Sequence, residues 1–182
     1  MMNSDIMNPI SWMSPKIEVR STPDEGVGTF VSEPIKKGEV VIIQGGRIVS
    51  EEALERPEYE PYWYHCFQVE QDAYICPIEL ERESADGVFN VNHSCEPTCG
   101  FRGQITLISL HDLAVGDQIT FDYVMTDVDS TGNEWEDMTC LCGTKSCRKI
   151  VGGSDWKIKE LQERYKGYFS PYVQELIDRN KE

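Results

Sequence analysis

No stretch of the chain is both long and apolar enough to cross a bilayer, so no membrane-spanning helix is expected. Positive charge is also scarce. Lys and Arg number 17 against 32 Asp and Glu, a formal net charge of −15 over 182 residues. Binding phosphates needs a basic surface, so direct nucleic-acid binding is not expected, whereas an acidic chain attracts basic protein segments. The opening Met1-Met2-Asn3-Ser4-Asp5 has no basic residue ahead of an apolar run, which argues against a secretory signal and for an intracellular protein. A C-x-x-C pair beside a βαβ pattern is absent too, which leaves a thiol-redox reading without its usual basis. Hydrophobic residues nevertheless make up 40 %, enough for the core of one ordinary domain with an appendage.

Residues 1–15 are polar and Met-rich with Pro9 and Pro15, and read as a flexible lead-in. From Lys16 onward short runs of β-branched and aromatic residues alternate with turn residues, the pattern of a mainly β fold. Strands are expected at 16–20, 29–31, 40–43, 66–69, 74–75, 105–108 and 118–121. Two stretches resemble each other, Ile35-Lys36-Lys37-Gly38-Glu39-Val40 and Leu113-Ala114-Val115-Gly116-Asp117-Gln118-Ile119. Each sets a glycine in a tight turn that feeds a strand, where positive φ is often needed. Ser50 is a candidate cap for a brief helix through Leu54. Residues 126–139 read as an acidic loop, and within 126–137 Trp135 is the only large apolar residue. In the tail, 151–182, Ile158, Leu161 and Tyr165 share a helical face, Gly167 stops that helix, and Ser170-Pro171 opens a second. These helices are read as a cover for the core.

Three of the seven cysteines fall in Cys140-x-Cys142-x4-Cys147, within a segment spanning 140–150. Thiolates suit zinc, and a structural site takes four ligands in a tetrahedron. The crowding and the odd total favour metal binding in a reducing compartment over disulfide pairing. A distant residue must supply the fourth ligand. Cys66, Cys76, Cys95, Cys99 and the three histidines are the candidates.

Asn92-His93-Ser94-Cys95-Glu96-Pro97-Thr98 sets polar side chains and a thiol between strand-like runs. A Cys/His nucleophilic pair is the generic reading. Alternation of side chains along an extended chain is taken to argue against His93 activating the thiol at 95. The whole arrangement resembles the SET-domain protein-lysine methyltransferases. Gly26-Val27-Gly28 stands where that family has G-x-G, and Asn92 to Pro97 is similar to its N-H-S-C-x-P signature. Gly116 to Tyr123, GDQITFDY, is similar to its G-E-E-L/I-T-F/Y-D-Y strand, and the three clustered cysteines match its post-SET motif. The match runs over residues 16–150, of which 16–125 corresponds to the SET domain itself.

The resemblance implies a fold of small curved sheets (a β-clip), with the N-H-S-C segment threaded beneath a loop from the D-Y region in a pseudoknot, followed by a C-terminal helical extension. It implies S-adenosylmethionine as cofactor, held by Gly26, Val27, Gly28, Asn92 and His93 together with Tyr123. Tyr123 would be the catalytic tyrosine, and Phe121 would sit where the family varies between Phe and Tyr; a tyrosine there limits how many methyl groups are added, so Phe121 implies two or three transfers. Cys95 would join Cys140, Cys142 and Cys147 around zinc. The implied partner is a protein with an accessible lysine in a basic setting, histone-like proteins among them, acting in the cytoplasm or with chromatin. The chain departs from the family's Y-x-G, reading Gln44-Gly45-Gly46, from its R-F-I/L-N, reading Phe89-Asn90-Val91-Asn92, and carries Thr98 in place of Asn. Tyr62, Tyr64 and Tyr74 are candidates for the missing aromatic. A catalytically degenerate SET module that only binds a partner is the competing expectation.

Overall fold

The computed structural model describes residues 11–22, 26–77, 90–128 and 137–181. Short strands dominate it. One antiparallel sheet holds β1 (Trp12–Met13), β4 (Val40–Ile43), β10 (Thr106–Ser109) and β9 (Cys99–Arg102), in the order β1-β4-β10-β9. A second runs β2 (Ile17–Thr22), β3 (Gly26–Val31), β11 (Gln118–Phe121), β8 (Asn92–His93). A third has the order β5 (Arg47–Val49), β7 (Ala73–Cys76), β6 (Phe67–Glu70), and β12 (Met138–Thr139) pairs with β13 (Ile150–Val151). Among the described residues no helix is long and apolar enough to cross a membrane.

The second sheet carries the unusual pairing. β3 runs antiparallel to both of its neighbours, β2 and β11, but β8 joins β11 in parallel, with Asn92 beside Thr120 and His93 beside Phe121. A parallel neighbour cannot come from a hairpin and must cross over from elsewhere. Ser94 N–H then donates to Phe121 O at 3.1 Å, and the chain after β11 folds into a 3-10 turn, Tyr123–Met125, beside the same segment. The fold is mainly β with a few helices, in small sheets.

The two look-alike stretches face each other. Ile35 and Leu113 form an antiparallel bridge, each donating its N–H to the other's carbonyl at 3.1 and 2.8 Å. Both following turns put glycine at positive φ, +80° at Gly38 and +96° at Gly116, where a side chain would be strained.

Several elements depart from the sequence expectation. Residues 11–15 are not a loose lead-in. Trp12 and Met13 pair with Ile43 and Ile42 as an edge strand, and Ser14 N–H donates to Val41 O at 2.9 Å. A two-residue strand has too little pattern to be read locally, while residues 1–10 lie outside the described residues. β9 also went unread because Cys-Gly-Phe-Arg shows no strand periodicity. Its Gly100 has a packing role: an added Cβ would sit 2.9 Å from Tyr168 Cβ and 3.0 Å from Leu110 Cδ2. Phe101 N–H donates to Tyr168 O at 3.0 Å, so the tail docks directly on this strand.

The tail is part of the core. Its helices are Lys159–Arg164, which ends ahead of Gly167 and leaves Ile158 exposed rather than on the apolar face, and Pro171–Arg179. Gly167 takes φ +85°, and Ser170 caps the second helix by accepting from Val173 N–H at 3.3 Å. Leu161, Tyr165, Phe169, Tyr172, Val173 and Ile177 are buried in one cluster with Val31, Ile42, Phe101, Leu107, Ile119 and Met125.

The start of the expected acidic loop is likewise built in. Thr126 and Val128 are buried, whereas residues 129–136, with Trp135, lie outside the described residues. Asp127 keeps a partly exposed edge, yet its carboxylate is packed against β6, accepting from Gln68 N–H at 3.2 Å and from Thr126 Oγ1 at 2.8 Å. Burial raises its pKa to about 6, against the pull of those two hydrogen bonds. A carboxyl raised in the folded state binds its proton more tightly there than in the unfolded chain. Stability is therefore lost as pH rises from about 4 to about 6 and stays reduced above that. Discounted for its exposed edge, the effect is about 1–2 kcal/mol. Asp127→Asn is expected to raise Tm over wild type at pH 8 and to lose most of that gain at pH 4. Thermal melts with the same gain at both values would contradict this.

Candidate functional site

The β12–β13 hairpin sets up the cysteine cluster. Cys140 N–H donates to Lys149 O at 2.8 Å, closing the strand ends around a turn whose Gly143 and Lys149 take φ of +66° and +69°. Cys95 arrives from the far side, on the chain leaving β8. The sulfurs of Cys95, Cys140, Cys142 and Cys147 all lie within 4.8 Å of one another, with Cys95 and Cys140 separated by 3.8 Å. Zinc bound by four thiolates at about 2.3 Å in a tetrahedron needs sulfurs about 3.8 Å apart. Burial raises the pKa of Cys95 and Cys140. Cys142, although burial opposes it, is lowered to about 6 because the Thr144 hydroxyl stabilises its thiolate. Four thiolates packed this closely repel one another unless a cation sits between them. The donor set fits a zinc ion.

The other candidate fourth ligands sit elsewhere. Cys99 is a buried thiol that burial pushes up to about 12. Cys66 and Cys76, both candidate fourth ligands, instead form a disulfide. The pairing of Phe67 with Ile75 in β6 and β7 sets residues 66 and 76 opposite each other across the hairpin. Both strands were expected from the sequence, and joining them through the Gln71-Asp72 turn was the signal for this bridge.

His93 also differs from expectation. Residues two apart on an extended chain share a face, and His93 Nε2 lies 3.4 Å from Cys95 Sγ. The geometry does not make a nucleophilic pair, since that sulfur belongs to the four-thiol cluster. Tyr123 N–H donates to His93 Nδ1 at 3.3 Å, so Nδ1 is the unprotonated nitrogen and Nε2 carries the hydrogen toward sulfur. Burial lowers the ring's pKa to about 4, with Asp122 opposing and Arg148 assisting, so the imidazole is neutral at pH 7.

On the opposite side of β11 lies the glycine-lined edge. Gly26 has φ +75°, and Val27 is exposed. Asn92 Nδ2 donates to Val27 O at 3.1 Å. An added Cβ at Gly28 would sit 2.7 Å from Gln118 Nε2 and 3.1 Å from Asn92 Nδ2. The backbone here is kept bare beside Asn92, which fits a site where the chain must approach a cofactor closely. Gly28 is buried, and Gly28→Ala pushes on the flexible ends of Asn92 and Gln118 and on the Phe30 ring, 3.2 Å away. The overpacking should cost about 1–3 kcal/mol. Calorimetry should also show weaker binding of S-adenosylhomocysteine as Asn92 is displaced, and unchanged affinity would remove Gly28 from the site.

Phe121 is buried and Tyr123 half-buried. Their ring centroids are 5.0 Å apart, and Phe101 meets Phe121 edge-on at 5.3 Å. Tyr123 Oη donates to Val91 O at 3.3 Å, which fixes the ring at the start of the 3-10 turn rather than on a strand. Between them, Asp122 is fully buried and salt-bridged to Arg148, a pairing that the sequence reading passed over although Arg148 directly follows Cys147. The departures from the family pattern have local roles. Gln44 is buried, and Thr98 Oγ1 donates to Gln118 O at 2.8 Å and accepts from Thr120 N–H at 2.9 Å. The Tyr74 hydroxyl lies 3.5 Å from Glu51 Oε1 in the third sheet, whereas the side chains of Tyr62 and Tyr64, like Phe89, lie outside the described residues.

Among curated proteins, the chain is 28 % identical over 160 residues to the histone-lysine N-methyltransferase ash1 of Drosophila melanogaster, covering 82 % of this chain and 7 % of that protein. It is 26 % identical over 169 residues to the H3 lysine-9 specific histone-lysine N-methyltransferase KMT1 of Fusarium mangiferae, covering 74 % of this chain and 48 % of that one. The chain thus spans less than half the length of these relatives. A solved structure of KRYPTONITE in complex with mCHH DNA, an H3(1-15) peptide and SAH superposes with a TM-score of 0.53 at 19 % identity, over 76 % of this chain and 30 % of that one. That likeness extends to the fold. The family description "SET domain" matches residues 26–124, from the glycine edge through Asn92 and Cys95 to the turn that bears Tyr123, and by that match the chain belongs to the SET-domain family.

Proposed function

We propose that the protein transfers methyl groups from S-adenosylmethionine to the side-chain amine of a lysine in a basic protein substrate. The observation that supports this reading is the parallel register of β8 on β11, which sets Asn92 beside Thr120 and His93 beside Phe121 while Asn92 reaches Val27 O on the glycine edge. Bound S-adenosylmethionine would supply a methyl group on a positively charged sulfonium. Asn92, the main chain of His93 and the bare backbone of Gly26, Val27 and Gly28 would hold it.

Transfer to an amine is an in-line displacement, and alignment alone supplies on the order of 7–11 kcal/mol of barrier lowering. The attacking amine must also be neutral. An aromatic wall of Phe101, Phe121 and Tyr123 disfavours the ammonium form, because apolar surroundings do not solvate its charge. Tyr123 Oη, already tethered to Val91 O, would orient the amine without acting as a strong base. The fit of the four thiols to zinc supports a structural metal that braces this end of the site.

The relatives named above are histone-lysine methyltransferases, and a net charge of −15 favours an equally basic partner. Histone-like proteins are the proposed substrates, which would set the activity with chromatin inside the cell. Charge steering by the rest of the acidic loop involves residues outside the described ones. To test the reading, the protein is incubated with labelled S-adenosylmethionine and a basic protein extract, and labelled lysines are mapped by mass spectrometry. Absence of label, with S-adenosylhomocysteine binding intact, would favour a binding module over an enzyme. Phe121→Tyr is expected to shift the products toward monomethyl-lysine, because a hydroxyl there holds a water in the space a second methyl needs. An unchanged product distribution would release Phe121 from that role.

A further inference from the structure

We propose that Arg148 is a positioning residue for the transfer, tying the cysteine-bound segment to the aspartate that holds Tyr123 in place. This rests on the function proposed above, and it concerns a residue outside the motifs that define the site.

Asp122 lies between Phe121 and Tyr123 and is fully buried. A buried carboxylate is tolerated when it is paired and hydrogen-bonded, and removing its partner is strongly destabilising. Here the partner is a fork. Arg148 Nη1 and Nη2 donate to Asp122 Oδ2 and Oδ1 at 2.6 and 2.8 Å. Tyr165 Oη, from the tail helix, adds a contact to Oδ2 at 3.0 Å. Asp122 Oδ1 also accepts from Val124 N–H at 3.3 Å, which caps the turn on which Tyr123 rides.

The same arginine is anchored from the other side. It directly follows Cys147, and its backbone N–H points at Cys95 Sγ at 3.3 Å. Its Nε donates to Asp155 Oδ2 at 2.9 Å. One residue thus touches the thiol cluster with its main chain, the Tyr123 turn with its two Nη atoms, and the tail with Nε. When the cluster closes, Arg148 is delivered to Asp122, the turn is fixed, and the Tyr123 hydroxyl is held against Val91 O. Lysine cannot reproduce this, because its single ammonium has no planar fork to span two carboxylates.

A purely structural strut would depend equally on the tail contact, so the test separates the two arms. Arg148→Lys and Asp155→Asn are compared with wild type for zinc content, S-adenosylhomocysteine affinity, kcat, KM and hydrogen exchange at the Val124 and Met125 amides. For Arg148→Lys, zinc and affinity should stay near wild type, exchange at both amides should quicken, and kcat should fall by about 10²-fold, the size of effect a displacement of about 1 Å produces. KM should change far less than kcat, as for an interaction made only in the transition state. Asp155→Asn should keep near-wild-type kcat and exchange. Wild-type kcat and exchange in Arg148→Lys would overturn the proposal, and so would an equal loss in Asp155→Asn. Should Arg148→Lys fail to fold, Asp122→Asn carries the test, since it weakens the arginine fork while keeping an oxygen for Val124 N–H; a lower kcat with faster Met125 exchange is expected, and wild-type values of both would overturn the proposal. Should the wild-type protein transfer no methyl group, the proposed function fails while the exchange readings still decide whether Arg148 governs the turn.

Discussion

Cys95→Ser is expected to strip the protein of its zinc, lower its Tm and abolish methyl transfer together. Cys95 is fully buried and is the member of the cluster that comes from the SET core rather than from residues 140–147. Apparent binding energies for structural zinc are about 10–16 kcal/mol at neutral pH, and they count toward folding where no site exists in the unfolded chain. Losing one thiolate should cost at least about 3 kcal/mol, or about 6–12 °C in Tm for a chain of this size. The damage should spread, because Arg148 N–H aims at that sulfur and His93 Nε2 faces it. Metal content by mass spectrometry and thermal melts check the result together. A Cys95→Ser protein that keeps one equivalent of zinc and a wild-type Tm would show that Cys95 is not one of its ligands, and a wild-type protein without zinc would show that the four sulfurs meet without a metal.

Tyr123→Phe should act differently, on rate alone. The substitution removes one hydroxyl and keeps the ring that packs on Phe121 and His93. Its hydrogen bond to Val91 O is worth on the order of 1 kcal/mol, so the fold should survive. Removing one preorganised polar group at a reacting centre typically costs about 10²–10³-fold in kcat. Binding of S-adenosylhomocysteine should be nearly unchanged. Full activity in Tyr123→Phe would leave the amine to be oriented by some other group, and Tyr123 would revert to a packing residue.

Much of the site was legible in the chain because its chemistry is local. Thiols spaced as Cys140, Cys142 and Cys147 in a polar loop point to a metal wherever they occur, and the glycines at 26 and 28 mark backbone kept free of side chains. Strands with strong patterns, Val40–Ile43 and Gln118–Phe121, came out at the residues expected. Ser50 and Ser170 cap the helices that their positions announced. The misses share another character. The Cys66–Cys76 disulfide follows from how two strands pair, Trp12–Met13 becomes a strand only because β4 offers an edge, and the tail helices belong to the core because Gly100 leaves room for Tyr168.

Residue types and near-neighbour spacing determined which groups carry the chemistry and where turns and caps fall, since those energies are set within a few positions along the chain. Only the tertiary structure decided that Asp122 is buried against Arg148 and Tyr165. A buried charge has no stable place until its partner arrives, and these partners lie 26 and 43 residues away, where no local pattern records them.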